Sequence, residues 1–248
     1  MSTFIRCLFP LLVLLGLATG CDNSESPDPE PPLPDTPSTE CSNEAELRAD
    51  KSARRGGMRD DVTGDGVAEE VFIAVDEGAE VGCRALLFVR SDEGTSAASL
   101  DVEDTELGLG LPALSGLKQI DGKGGSEVIV DMAAGASTLF AGVFTFADGG
   151  LDQVRIEGSQ PPAENLFAHG GGVAQLSAAD CAADNAVLIS TAVSEGRRYR
   201  VGRYSYEFDG VLLARNPTQD ETRIVRLEMI PRSFPEFARP PFSSCPDA

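Results

Sequence analysis

Residues 60–75 read "DDVTGDGVAEEVFIAV": oxygen-bearing side chains on alternate positions, two glycines, then an unbroken apolar run from Val71 to Val75. The run is short and rich in β-branched residues, which predicts a strand rather than a helix. Similar runs lie at Val128–Val130 and Val187–Ile189, their starts 57 and 59 residues apart. A near-constant period predicts an internal repeat. A second strand follows each run: "ALLFVRSDEG", "AGVFTFADGG" and "VGRYSYEFDG", with an aromatic at a comparable point (Phe88, Phe144, Tyr204) and an acidic-plus-glycine turn at the end. Asp148-Gly149 and Asp209-Gly210 are hairpin-turn pairs. Third strands follow in "SAASLDV", "LDQVRI" and "VLLARN". The expectation is an all-β domain of three antiparallel meanders, at residues 60–103, 113–158 and 172–216. It is propeller-like, or else a sandwich or an incomplete barrel, since three blades fall short of an ordinary propeller. A last strand, "RIVRLEM", alternates apolar and charged residues from Val225 to Met229 and would pair back to close an edge. Residues 44–50, "EAELRAD", suggest a short helix, and the proline-rich stretch 231–248 suggests irregular chain.

The oxygens before the first run suit a metal. Counted from Asp61, side-chain oxygens stand at positions one, three, five and nine: Asp61, Thr63, Asp65 and Glu69. Gly66 is sixth, where a sharp turn is needed, and Val67 is seventh, where a carbonyl serves. Calcium takes six to eight oxygens in flexible geometry, and a loop of this spacing can wrap it. The expectation is one structural Ca2+ held by Asp61, Thr63, Asp65, Val67 and Glu69. The plainer alternative is a polar turn capped by its own side chains.

"DVTGDGVAEEVFIAV" resembles the loop-and-strand motif of FG-GAP or VCBS repeats, found in integrin α-chain propellers and many bacterial surface proteins. The resemblance implies a calcium loop just before a strand. The second unit, "QIDGKGGSEVIV", is similar to a decayed copy, with Gln119, Asp121, Lys123 and Glu127 at positions one, three, five and nine. A lysine at position five opposes a cation. The third, "SAADCAADNAVLI", keeps the place but not the motif. "GASTLFAGVF" is similar to exported actinobacterial proteins of the same group.

The flanking sequence points outside the cytoplasm. Residues 1–20 carry one basic residue, Arg6, an apolar run from Leu8 to Leu17, then small residues before Cys21. That is a secretory signal pattern, too short to span a bilayer. "ATGC" resembles a bacterial lipobox, which implies cleavage before Cys21 and its acylation. Residues 22–40, "DNSESPDPEPPLPDTPSTE", have too little apolar surface to fold, and their prolines predict an extended tether. The predicted organisation is therefore a signal peptide over 1–20, an acylated cysteine and tether over 21–40, and a single β domain over 41–248. Four further cysteines remain: Cys41, Cys83, Cys181 and Cys245. An even number in an exported chain predicts two disulfides, with three connectivities open. Proximity in sequence favours Cys41–Cys83 and Cys181–Cys245.

Formal charge is −20 for the whole chain. Such a chain repels nucleic-acid phosphates and anionic lipid headgroups, so neither is expected as an electrostatic partner. Expected partners are a membrane, through the lipid, and an envelope protein or polymer.

No catalytic constellation stands out. The single histidine, His169, lies beside three glycines in "FAHGGGVAQ" and reads as a loop residue. Ser137 reads as a turn residue, and no G-x-S-x-G elbow or P-loop occurs. The expectation is a non-enzymatic binding or structural module. The alternative is a calcium-dependent hydrolase using acidic residues, too abundant here for any pair to be singled out.

Overall fold

The computed structural model describes residues 41–161, 163–182 and 186–247. The signal segment, Cys21 and the tether lie outside the described residues. Among the described residues strand accounts for 49% and helix for 12%, so the fold is all-β, with antiparallel sheets that do not close into a barrel. Among the described residues, no helix is long and apolar enough to cross a membrane.

The first sheet is a meander of β1 (Arg54–Asp60), β2 (Glu69–Val75), β3 (Ala85–Arg90) and β4 (Thr95–Ser99), hydrogen-bonded in that order. A second meander joins β5 (Ala113–Lys118), β6 (Glu127–Ala134), β7 (Thr138–Ala147) and β8 (Gly150–Gln153). The short β9 (Arg155–Ile156) follows. β10 (Phe167–Gly171) pairs with the first half of β7 and hands the sheet on to β11 (Gln175–Cys181). From there β12 (Ala186–Glu195), β13 (Arg198–Asp209) and β14 (Leu212–Arg215) complete a third run of four strands. β9 lies parallel to β14, and β15 (Glu221–Arg226) pairs with the first half of β13.

Four departures from the sequence reading have physical causes. Each run has four strands rather than three. The missed first strands, "RRGGMRD", "ALSGLK" and "QLSAADC", carry glycine, small or polar residues, so periodicity does not mark them. "SAADC" is the end of β11, not a loop. The expected Val225–Met229 strand lies earlier, at Glu221–Arg226, and Leu227–Met229 turn into a 3-10 helix. The proline-rich end forms short helical turns at Ile230–Ser233 and Pro235–Ala238, because Ile230 and Phe234 bury against the sheet.

The apolar runs are continuous because both faces of their strands are covered. Val71, Ile73, Leu87 and Val89 pack on Val128, Val130, Met132 and Phe144 of the second meander. The reverse face of β6 and β7 presents Ile129, Ala141 and Val143 to Ala179, Val187, Tyr206 and Leu213. The outer face of the first meander packs Phe72 and Phe88, stacked at 5.0 Å, against Leu47 of α1 (Glu44–Ala49). The outer face of the third carries Ala192, Tyr199 and Val201 under Ile230 and Phe234.

Two disulfides fasten these outer covers, in the pairing that proximity favoured. Cys41–Cys83 closes a 42-residue separation beside α1, and Cys181–Cys245 closes 64 residues and ties the C-terminal segment to β11. Beside the second bond, Phe242 N–H donates to the Ala179 carbonyl at 2.9 Å and its ring is fully buried. Asp180 accepts from Ser244 N–H and Oγ, both at 2.8 Å.

Candidate metal site

The loop between β1 and β2 starts where Asp60 pairs with Glu69. Its local folding follows from its acids. Asp61 accepts from Gly64 N–H at 2.7 Å through Oδ1 and from Gly66 N–H at 2.8 Å through Oδ2. Asp65 Oδ1 accepts from Val67 N–H at 2.7 Å. Glu69 Oε2 reaches back to Val62 and Thr63 N–H, at 2.8 and 3.2 Å. These bonds curl the backbone and gather the acids, with Glu69 buried, Asp61 half-buried and Asp65 exposed. One carboxylate oxygen each of Asp61, Asp65 and Glu69 lies within 4.8 Å of the others.

Two atoms of the loop lack a protein partner. Glu69 is 1% exposed, yet its Oε1 accepts no hydrogen bond. Thr63 Oγ1 is buried and also unpartnered. Leaving a buried carboxylate oxygen unsatisfied is costly, and native proteins seldom do so without an ion or ordered water. The donor set is all oxygen, which suits a hard cation such as calcium. Of the five expected ligands, the structure brings the three carboxylates together. Thr63 adds a free buried oxygen, and Val67 sits at the seventh position with its carbonyl unassigned.

The loop between β5 and β6 is built on the same frame. Lys118 pairs with Glu127 as Asp60 pairs with Glu69. Glu127 Oε2 accepts from Ile120 and Asp121 N–H at 2.5 and 3.2 Å, matching Glu69 with Val62 and Thr63. Here the remaining oxygen is used: Thr145 Oγ1 donates to Glu127 Oε1 at 3.4 Å. Lys123 Nζ stands 3.7 Å from Asp121 Oδ2, so the lysine brings its own positive charge to the loop. Burial pushes the Glu127 carboxyl up to about 7; the backbone N–H groups of Ile120, Asp121 and Glu127 oppose the shift and the Asp121 charge adds to it.

The two loops are locked together. Ser126 N–H donates to the Asp61 carbonyl at 2.6 Å, and its hydroxyl to Asp60 Oδ2 at 3.0 Å. Gly125 has φ +82°, and a Cβ there would lie 2.8 Å from the Val62 carbonyl oxygen and 3.0 Å from Gly64 N. Gly125→Ala is therefore expected to cost about 2 kcal/mol, from left-handed backbone strain and from overpacking against backbone that cannot yield. Gly66→Ala, with φ +87° but no atom within 4 Å, carries only the backbone part. Chemical denaturation of the two variants measures the difference; equal losses would mean that the loop contact contributes nothing.

The sequence reading missed several polar pairings. His169 is a strand residue of β10, not a loop residue, and its Nε2 lies 3.1 Å from Asp131 Oδ1. Among the described residues no serine or cysteine hydrogen-bonds to its ring. Arg203 clasps Glu236 with Nε at 2.8 Å and Nη2 at 3.0 Å, and Ser190 Oγ joins at 3.1 Å. These partners stand 33 and 46 residues apart, with no spacing motif to signal them. Positions 183–185 of the expected third loop lie outside the described residues. Compared with protein-family models, with curated proteins and with solved structures, the chain matches none.

Proposed function

We propose that this chain is a calcium-stabilised β-repeat module, lipid-anchored outside the cytoplasm through Cys21, with a binding or structural role at the cell envelope. In this reading the three four-stranded runs are copies of one FG-GAP-like unit, stacked in a propeller-like arc. Only the first copy keeps its ion. The observation that carries the metal reading is Glu69 Oε1, buried, without a partner, and attached to the acid that completes the Asp61–Asp65 cluster. The second loop supplies the contrast, because there a hydroxyl takes the corresponding glutamate oxygen and a lysine ammonium approaches the acids.

Asp61, Asp65 and Glu69 would hold the ion, with Thr63 Oγ1 and the Val67 carbonyl. It would offset the mutual repulsion of three carboxylates and fix the start of β2. Because Ser126 bonds the same loop, the ion would also firm the junction between the first two meanders. The two disulfides fit an oxidising compartment.

Chelator-treated protein titrated with calcium while its melting temperature is followed tests this reading. A ligand that binds only the folded state stabilises by about 2.7 kcal/mol at a hundredfold excess over Kd. For a domain of this size that is a rise of roughly 5–10 °C. Asp65→Ala should show no such rise. If wild type and variant melt together at every calcium concentration, the loop is only a turn.

A further inference from the structure

The whole-chain charge of −20 conceals a local reversal of sign. The β12–β13 hairpin extends with β15 beyond the second core. Directly opposed residues of neighbouring strands share a face. Val193 opposes Arg200, which opposes Ile224 across β15; Arg198 stands between Glu195 of β12 and Arg226 of β15. These side chains therefore line one face, with Arg197 at the hairpin tip. The reverse face is the buried one, where Tyr199, Val201 and Ala192 lie under Ile230 and Phe234.

This lined face is open. Val193 is 47% exposed and Ile224 57%, and the side chains of Arg200 and Arg226 are 60% and 72% exposed. Arg198 and Arg226 are like charges placed opposite each other, an arrangement that destabilises a sheet. Compensation within the chain is thin. Arg200 pairs with Glu195, while Arg226 reaches Glu228 only at 3.8 Å with both ends in solvent, which contributes little. Among the described residues, Arg197 and Arg198 form no ion pair; Glu195, which stands opposite Arg198, turns its carboxylate to Arg200.

We propose that this face docks on an anionic lipid bilayer. Four arginines against two glutamates, Glu195 and Glu228, leave the patch net positive, which calls for a negative partner. The two exposed aliphatic residues among them call for somewhere apolar to go. A membrane interface supplies both at once, since headgroup phosphates take the guanidinium groups while aliphatic side chains enter the acyl boundary. A soluble polyanion would meet the charge but leave Val193 and Ile224 wet. Repulsion from the acidic remainder of the domain is screened beyond about 8 Å at physiological salt, so a patch in direct contact can dominate. The surface would orient a domain already tethered by Cys21. It rests on the reading that the protein works beside a membrane, and not on the calcium site.

The test uses the chain from residue 21 onward carrying Cys21→Ala, so that neither an acyl group nor the apolar run Leu8–Leu17 contributes. It is co-sedimented with vesicles of mixed phosphatidylglycerol and phosphatidylcholine, and with vesicles of phosphatidylcholine alone. Binding should require the anionic lipid and weaken as salt rises. Combined Arg197→Glu, Arg198→Glu and Arg226→Glu should lower the partition coefficient by about tenfold or more, because each basic residue near such a surface contributes severalfold. The exposed change Ile224→Ser, which leaves every charge in place, should also lower it. Equal partition of the charge-reversed and parent chains would overturn the proposal. So would equal binding to both vesicle types, or retention on dextran sulfate without vesicle binding. Calcium-dependent melting is read separately, so the failure of one idea does not imply failure of the other.

Discussion

With Cys181 and Cys245 both replaced by serine, the protein is expected to lose about 4 kcal/mol of stability, the chain-entropy value for a crosslink of this span. The bond closes a 64-residue separation and holds the C-terminal segment on β11. Its removal lets the unfolded chain explore conformations that the crosslink forbids. The folded state also becomes easier to open at this end, since Phe242, wholly buried against Phe167 at 5.1 Å, is held by the same short segment. For a domain of this size the melting temperature should fall by roughly 8–16 °C. Thermal melting of the double variant measures it. A fall of only a degree or two would mean that Phe242 and the Asp180–Ser244 hydrogen bonds hold the segment without the bond.

Glu127→Gln should act in the opposite direction, and only above mildly acidic pH. The folded carboxyl titrates near 7 against an ordinary value of 4.5, because it is buried. A raised acid pKa means that the native state binds more protons than the unfolded state between these values. Stability therefore declines as pH rises from about 4.5 to about 7, and the full cost persists above that window. A shift of this size corresponds to about 3 kcal/mol. In the variant, the amide oxygen can still accept from Ile120 and Asp121, and the amide nitrogen can donate to Thr145 Oγ1. It carries no charge to desolvate and none to oppose Asp121. The expected result is a variant matching wild type near pH 4.5 and exceeding it by about 3 kcal/mol at pH 8. Urea denaturation across that range decides it. Parallel profiles for the two proteins would show that Glu127 keeps its charge at no cost.

Sequence spacing made part of this architecture legible. Val71–Val75, Val128–Val130 and Val187–Ile189 were readable because strands buried on both faces must be apolar at every position, and all three lie in the second strands of four-stranded runs. The cysteine pairs were readable because each joins an end of the domain to the inner cysteine nearer to it in sequence. β1 was hidden because it pairs only with β2, carries a bulge between Arg55 and Met58, and so needs little apolar surface. β11 was hidden for another reason. It is central, but its buried positions hold Ser177, Ala178, Ala179 and Asp180, and Asp180 is satisfied by Cys181 N–H together with Ser244, which arrives from 64 residues away. The acid cluster of the first loop was visible as spacing. That Glu69 Oε1 would be left without a partner while Glu127 Oε1 found Thr145 was not, because it depends on what the neighbouring strand places opposite each glutamate. The basic face of β13 and β15 was invisible to a net-charge count, since it arises from cross-strand register.

In the proposed reading the first loop holds a calcium ion, and in the second Lys123 stands in place of one. Calorimetric titration of calcium into the chelator-treated full chain tests it most directly, run on wild type, Asp65→Ala and Lys123→Ala. The account predicts one site per chain in wild type, none in Asp65→Ala, and one in Lys123→Ala, where Gln119 still leaves the second loop without an acid at its first position. No binding by wild type, or a full site surviving in Asp65→Ala, would contradict it.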